Sequence, residues 1–594
     1  MSSKALIAGQ KNVLGHPSGL FVLFFTEMWE RFSFYGMRIL LVNFLTMAVV
    51  KSDQVPFPGW GWTSENAGAL FGTYAGLLYL TPILGGIIAD KYTGYRVAVV
   101  IGALIMTLGH VSMAFETEIS LYLGLLLLVI GTGFFKPNMT SIVSQMYAHL
   151  PDKKDGAFTI FYMGVNAGAF FGMLLCGYLS EHLGWAYGFG LAGIFMLIGS
   201  LQFWLATPLF GDFGKSPKEL NDQKISAHTS DEQNDTPNVF TKLDKVLIVI
   251  TSVIGLLYLF NDPSSKIAGI HLLPENGISF LNSEISGPIQ IVLVGLVLFL
   301  LLTFSRIFRY SAIVRDRMLS LVIFAVFTVF FWMAFEQGAT SLVLFARDFT
   351  NRTLEGTSAV VFKIVNTLLT LGPLVILTWV FFKLKLQTWA QIRVSNLVLG
   401  GSFLGLWGLS VWMLYRDFSS DVVEVTVSWF SILNSFFIIA FASYFSKWWE
   451  SSYNPSSAYK YALGLILLGV GFGFLAFGSL AIPQGAKTAS ISMIWLILAY
   501  LFHTLGELCL SPVGLSQVSK LVPTRMIGFM FGMWYLAIAI GNKIAGSLGG
   551  KIEEVTATYD MTTFFLIFTI VPIASGVLVA LLHPFLKRLM HGIH

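Results

Sequence analysis

The chain has 594 residues, 55% of them hydrophobic and only 11% charged, with 53 Phe and a mean hydropathy of +0.74. Soluble domains carry about 25% charged residues, so this is the composition of an all-α polytopic membrane protein. The formal charge of +4 argues against a nucleic-acid partner, and the two cysteines, Cys176 and Cys509, cannot build a disulfide framework or a cysteine zinc site. No metal or other cofactor is expected.

Met1 to Pro17 is polar, and the apolar run after it is too long and too charged in its middle to be a cleavable signal. That run, about 20–49, carries Glu27, Glu30, Arg31, Tyr35 and Arg38. A charge at such depth costs roughly 2.5–3.5 kcal/mol even on lenient scales. Glu27, Arg31, Tyr35 and Arg38 recur at i, i+4, i+8 and i+11, one stripe of a helix, with Glu30 beside it. The stripe must face a bundle interior or a watery cavity, where a polar solute crossing the membrane would bind.

Further runs long enough to span lie at 66–89, 96–115, 120–141, 157–179 and 186–206. After the second comes Gly85-Gly86-Ile-Ile-Ala-Asp90-Lys91-Tyr-Thr-Gly94-Tyr-Arg96. This resembles the short cytoplasmic motif of the major facilitator superfamily, in which small residues let helices approach while an Asp and basic residues tie the loop. The corresponding loop of the second half, Ser446-Lys447-Trp448-Trp449-Glu450, matches it poorly. Lys136 stands next to Pro137 in the fourth run and is expected to find a carboxylate across the cavity, snorkelling being the alternative. Asn166 in the fifth run could serve a site or hydrogen-bond between helices.

A polar stretch, Gly211 to Lys242, reads as a solvated linker. Runs at 244–260 and 287–304 form an accessory pair, the first of them short, so that fourteen spans compete with sixteen. The run at 318–346 holds Glu336, one turn after Trp332. A second accessory pair lies at 357–382 and 391–415, and its most polar inner residue, Asn366, has no obvious charged partner within the pair. Five runs complete the chain, near 426–446, 459–480, 489–511, 526–549 and 562–586. They carry Asn434, which like Asn166 could be interhelical glue, then Glu507 near the inner end of its helix, and Trp534.

Lys and Arg gather in alternate short loops: Lys91 and Arg96, Lys153 and Lys154, Arg306 to Arg317, Lys383 to Arg393, and Lys587 with Arg588. The positive-inside rule then puts both termini in the cytoplasm. The expected organisation is a six-helix bundle over 1–206, a cytoplasmic linker over 207–243 and an accessory pair over 244–304. The first helix of a second bundle follows at 318–346, then the second accessory pair at 357–415, then the remaining five helices at 426–594. Cations in the first half (Arg31, Arg38, Lys136) face carboxylates in the second (Glu336, Glu507), a layout suited to a zwitterion.

Glu27-x-x-Glu30-Arg31-Phe32-x-Phe34-Tyr35-Gly36 resembles the Glu-x-x-Glu-Arg-Phe-x-Tyr-Tyr-Gly signature of proton-dependent oligopeptide transporters, with Phe34 where Tyr is usual. The resemblance continues through Tyr79-Leu-Thr-Pro82, Phe134-Phe135-Lys136-Pro137-Asn138, Phe161-Tyr162-x-x-x-Asn166 and Phe331-Trp332-x-x-x-Glu336-Gln337. It extends to Leu433-Asn434, Gly506-Glu507-Leu-x-Leu-Ser511-Pro512 and Gly532-Met-Trp534-Tyr535, with Ser435 where the family usually has Pro.

The resemblance implies a major facilitator fold, two six-helix halves plus about four accessory helices. It also implies a proton-driven symporter importing di- and tripeptides across a bacterial inner membrane, working as a monomer. Arg31, Arg38 and Lys136 would hold the peptide carboxylate, and Glu507, Asn166 and Asn434 the amino end. Tyr35, Tyr74, Tyr79, Trp332 and Trp534 would shape side-chain pockets, and Glu27, Glu30, Arg31 and Glu336 would couple protons. Arg38–Glu336 and Lys136–Glu507 would be the outer and inner gates. The alternative is another anionic or amphoteric solute on the same fold, such as nitrate or a peptide-like drug. The sequence has no His-Glu-x-x-His, phosphate loop or Gly-x-Ser-x-Gly to suggest an enzyme.

Overall fold

Backbone that crosses lipid must satisfy its hydrogen bonds internally, and the apolar runs do so as helices. The computed structural model describes residues 11–52, 55–148, 150–216, 239–277, 279–280, 283–522 and 526–592. Most of the polar linker, residues 217–238, lies outside the described residues.

The first bundle comprises α1 (Ser18–Thr46), α2 (Ser64–Ile88), α3 (Tyr95–Met113), α4 (Glu118–Met146), α5 (Pro151–Leu183) and α6 (Trp185–Ala206). An accessory pair follows, α7 (Lys242–Ala268) and α8 (Gly287–Ile307). The second bundle opens with α9 (Ala312–Phe335) and the short α10 (Ser341–Asp348), is interrupted by the pair α11 (Gly356–Thr388) and α12 (Arg393–Ser419), and resumes with α13 (Val427–Glu450). Then come α14 (Ser457–Gly478), α15 (Ile494–Leu521), α16 (Ile527–Gly549), the short α17 (Ile552–Thr558), α18 (Met561–Leu581) and the short α19 (His583–Leu589). Among the described residues, fourteen helices are long and apolar enough to cross a membrane. Two more are as long: α1, with its charge stripe, and α16, which carries Asn542 and Lys543. That makes sixteen.

Polar side chains at the starts satisfy otherwise orphaned amides. Thr63 accepts from the amide of Asn66, Thr117 and Thr241 form capping boxes with Ser120 and Asp244, and Asp560 accepts from Thr563. Within the first bundle the packing needs glycine: a Cβ on Gly85 would overlap the Gly133 carbonyl, so α2 and α4 meet backbone to backbone. The loop after Gly85 is tied by Arg96, whose Nη2 donates to Gly211 O at 2.6 Å and whose Nε donates to Phe213 O.

Several helices outrun their predicted lengths. α7 continues to Ala268 where the run was expected to stop at 260. α4 continues to Met146, five residues beyond its expected end, and α15 continues past Pro512 to Leu521, so Glu507 stands in mid-helix rather than near an end. The expected run 318–346 is broken at Glu336, where a 3-10 turn, Glu336–Ala339, separates α9 from α10. Gln337 holds the break: its Oε1 accepts from Ser341 Oγ at 2.6 Å and its Nε2 donates to Ala545 O at 3.1 Å. Discontinuous helices of this kind free polar groups at membrane depth.

The second accessory pair belongs by sequence to the second bundle but packs on the first. Phe403 of α12 makes edge contacts with Phe25 and Trp29, and Ser395 Oγ donates to Gln202 O at 2.8 Å. Asn366 does have a charged partner in the pair, contrary to expectation: its Nδ2 donates to Asp417 Oδ2 at 3.1 Å. Its Oδ1 accepts from Trp429 of α13 at 3.3 Å, while Asp417 also accepts from Tyr178 of α5 at 3.3 Å. Sequence spacing could not bring residues 51 positions apart together; the hairpin geometry does.

Candidate functional site

The charge stripe of α1 is buried, with Glu27, Glu30 and Arg31 exposed by 4%, 0% and 5%. Arg31 Nε lies 2.9 Å from Glu27 Oε1 and 2.8 Å from Glu30 Oε2, so one guanidinium holds both carboxylates. Two negative charges and one positive charge form a cluster that is stable at depth only while its partners stay together. Two turns on, Arg38 forms an ion pair with Glu336 at the break between α9 and α10. Its guanidinium also lies over Tyr35 at 5.9 Å and Phe71 at 5.6 Å.

Lys136 was expected to meet a carboxylate across the cavity. Instead its Nζ lies 4.6 Å over the ring of Tyr79, and among the described residues no ion pair joins it to Glu507. Tyr79 in turn faces Trp332 and Tyr535, at 6.5 and 6.4 Å between ring centres. Glu507 is held from its own bundle: Asn434 Nδ2 donates to Glu507 Oε2 and to Thr504 Oγ1, both at 3.0 Å. Asn434 is therefore an interhelical contact. Asn166, by contrast, turns back on its own helix and donates to Tyr162 O at 3.0 Å. Tyr74 is buried with a hydroxyl that has no partner among the described residues. Trp534 is buried within the second bundle, its ring against Tyr461 and the backbone of Gly514.

The contacts joining the two bundles gather at the end that carries Thr46, Ser64 and Gly550. Arg347 Nη1 donates to Asn43 Oδ1 at 3.2 Å and to Thr46 Oγ1 at 2.8 Å, Ser64 Oγ to Gly550 O at 2.8 Å, and the amide of Val427 to Glu181 Oε1 at 2.8 Å. The α2–α16 seam widens away from that end. A Cβ on Gly68 would overlap Gly546 O; on Gly72 and Gly76 it would lie 3.0 and 3.4 Å from Lys543 O and Ala539 O; on Gly532 its nearest neighbour is Ile83 Cδ1 at 3.8 Å. The site is thus closed at the Thr46 end, where Arg38 meets Glu336, and parted between Lys136 and Glu507.

One element went unread in the sequence. Lys543 of α16, 4% exposed, donates to Thr73 Oγ1 at 3.0 Å and Ala69 O at 3.3 Å on α2, and pairs with Asp262 of the accessory helix α7. Asp262 also meets Lys266 at 3.1 Å, which reaches Glu65 at 3.0 Å. A lysine alone in the apolar run 526–549 is the signal that could have found it.

Among known proteins, the model of the POT family matches residues 96–414 and 407–565. The chain is 30% identical to a peptide transporter of Yersinia enterocolitica, over 100% of this chain and 99% of that protein. It is 26% identical to a di-/tripeptide transporter of Lactococcus lactis, over 98% of each. Its structure is similar to crystal structures of a peptide transporter POT with sulfate and of a mutant form with alafosfalin, each at 26% identity, TM-score 0.68 and 100% coverage of both chains.

Proposed function

The chain belongs to the POT family, and from that premise we propose that it is a proton-coupled symporter importing di- and tripeptides by alternating access. It is a membrane transporter and not an enzyme. The positive-inside distribution supports a cytoplasmic location for both termini, in the inner membrane of a bacterium, and the Thr46 end then faces outward. The chain acts as a monomer, and the proton gradient supplies its energy without a cofactor.

The observation that carries the reading is the asymmetry of the two cross-bundle pairs: Arg38–Glu336 closed, Lys136 and Glu507 apart. It supports an inward-open state, with Arg38–Glu336 as the outer gate and Lys136–Glu507 as the inner one. In that state Lys136, with Arg31 and Arg38 nearby, is available to a peptide carboxylate. Glu507, oriented by Asn434 and helped by Asn166, is available to an α-amino group. Tyr35, Tyr74, Tyr79 and Trp332 line the side-chain space, with Trp534 behind it. Glu27 and Glu30 both hold Arg31, so a proton on either loosens the guanidinium toward substrate, and a proton on Glu336 frees Arg38.

Counterflow of radiolabelled dialanine in proteoliposomes tests the substrate class. Unlabelled di- and tripeptides should compete and nitrate should not; competition by nitrate with none by peptides would assign the site to another anion.

A further inference from the structure

Outside the peptide path, at the Glu450 end of the second bundle, the α13–α14 loop, α15 and α19 enclose a cavity of about 600 Å³. Lys460, Lys520, Lys587 and His583 line it together with Trp449 and Gln517, and among the described residues no carboxylate does. Among the described residues none of the three lysines forms an ion pair, and Lys460 Nζ sits 4.4 Å over the Trp449 ring. Three ammonium groups converging on one space repel one another, so an anion there is favoured.

The start of α14 adds to this. Its N-cap residue Ser456 makes no side-chain cap; its hydroxyl is engaged with His583 Nδ1 at 3.0 Å, and the first turn has no acidic residue. Ser456, Ser457, Tyr459 and Lys460 of that turn line the same cavity, at the positive end of a 22-residue helix. Independently, Gln517 is 2% exposed and spends its Nε2 on Ser457 Oγ at 2.6 Å, and among the described residues its Oε1 has no partner, a buried acceptor waiting for a donor.

We propose that this cavity binds the headgroup of an anionic phospholipid carrying hydroxyl groups, of the phosphatidylglycerol type, its phosphate on the lysines and the α14 amides and a headgroup hydroxyl on Gln517. The location favours lipid over a free anion. The cavity lies where three long helices end, at headgroup depth, with Trp449 and Tyr459 as interfacial aromatics. Basic pockets between spanning helices take lipid headgroups in this way.

Native mass spectrometry and lipid titration of the purified full chain test it, using phosphatidylglycerol, phosphatidylcholine and inorganic phosphate as probes. K460Q/K520Q/K587Q should lower phosphatidylglycerol affinity by roughly a hundredfold, since each lysine contributes about fivefold. The charge-matched K383Q/K385Q/R393Q should not. Dialanine affinity should be unchanged in both, which reads folding and the peptide site separately. Should the triple variant fail to fold, K520Q alone should still weaken phosphatidylglycerol several-fold. Equal loss in the two triple variants, equal binding of phosphatidylcholine, or displacement of the lipid by millimolar phosphate would overturn the proposal.

Discussion

Replacing Asp262 with Asn probes the least anticipated part of the structure. Lys543 is 4% exposed between α2 and α16, with two neutral acceptors on α2 and a single carboxylate on α7 to balance its charge. Breaking a buried ion pair costs about 3–5 kcal/mol. The Asp262 side chain is 16% exposed and Asn keeps an amide oxygen, so about 2–3 kcal/mol is the reasonable share. The loss falls on the state closed at the Thr46 end, because opening that seam lets Lys543 reach water. The closed-to-open ratio should therefore drop by about 30–150-fold. Spin labels on K51C and K487C, on opposite sides of the Thr46 end, report this as growth of the longer-distance population in lipid; native Cys176 and Cys509 are buried and stay unlabelled. The double variant D262N/K543M should return the distribution toward the original. An unchanged distribution in D262N, or no recovery in the double variant, would refute the latch.

Glu27→Gln or Glu30→Gln should abolish gradient-driven uptake while leaving more of peptide exchange, measured side by side in proteoliposomes; equal loss of both would make the pair structural. Arg38→Ala and Lys136→Ala should shift cysteine labelling at the two ends in opposite directions, and a shift in the same direction would dismiss the two-gate assignment. Gly68→Val puts a side chain into the Gly546 carbonyl and should block closure of that end, so dialanine binding survives in detergent while transport fails. Replacing the 356–419 hairpin with a short polar loop should keep dialanine affinity but lower thermal stability, because Phe403 leaves Phe25 and Trp29; a folded variant without binding would put the hairpin in the site.

The helices were readable because an apolar run of spanning length has few alternatives, and the α1 stripe because charge at depth must be gathered. Arg31 with Glu27 and Glu30 follows from spacing alone, since all three share one helix. Arg38 with Glu336 needed the family resemblance, as their partnership crosses bundles. What stayed hidden depends on helix ends and on tertiary placement. Helix α15 runs on through Pro512, where the apolar run ends, and the break at Glu336 rests on Gln337 bonding to a different helix. On the alternating-access reading, the Lys136–Glu507 pairing belongs to another conformational state than the one described. The Asp262–Lys543 pair joins an accessory helix to the second bundle across 281 residues. No local pattern announces such a contact.

The most direct test of proton-coupled peptide import is simultaneous measurement of dialanine uptake and internal acidification in proteoliposomes after an outside-acid pH jump. Dialanine should accumulate above equilibrium with matching peptide-dependent acidification; a protonophore, by collapsing the gradient, should abolish the accumulation, and Glu507→Gln should remove both the uptake and the peptide-dependent acidification. Peptide entry that proceeds at the same rate without acidification and ignores the protonophore would contradict the coupled mechanism.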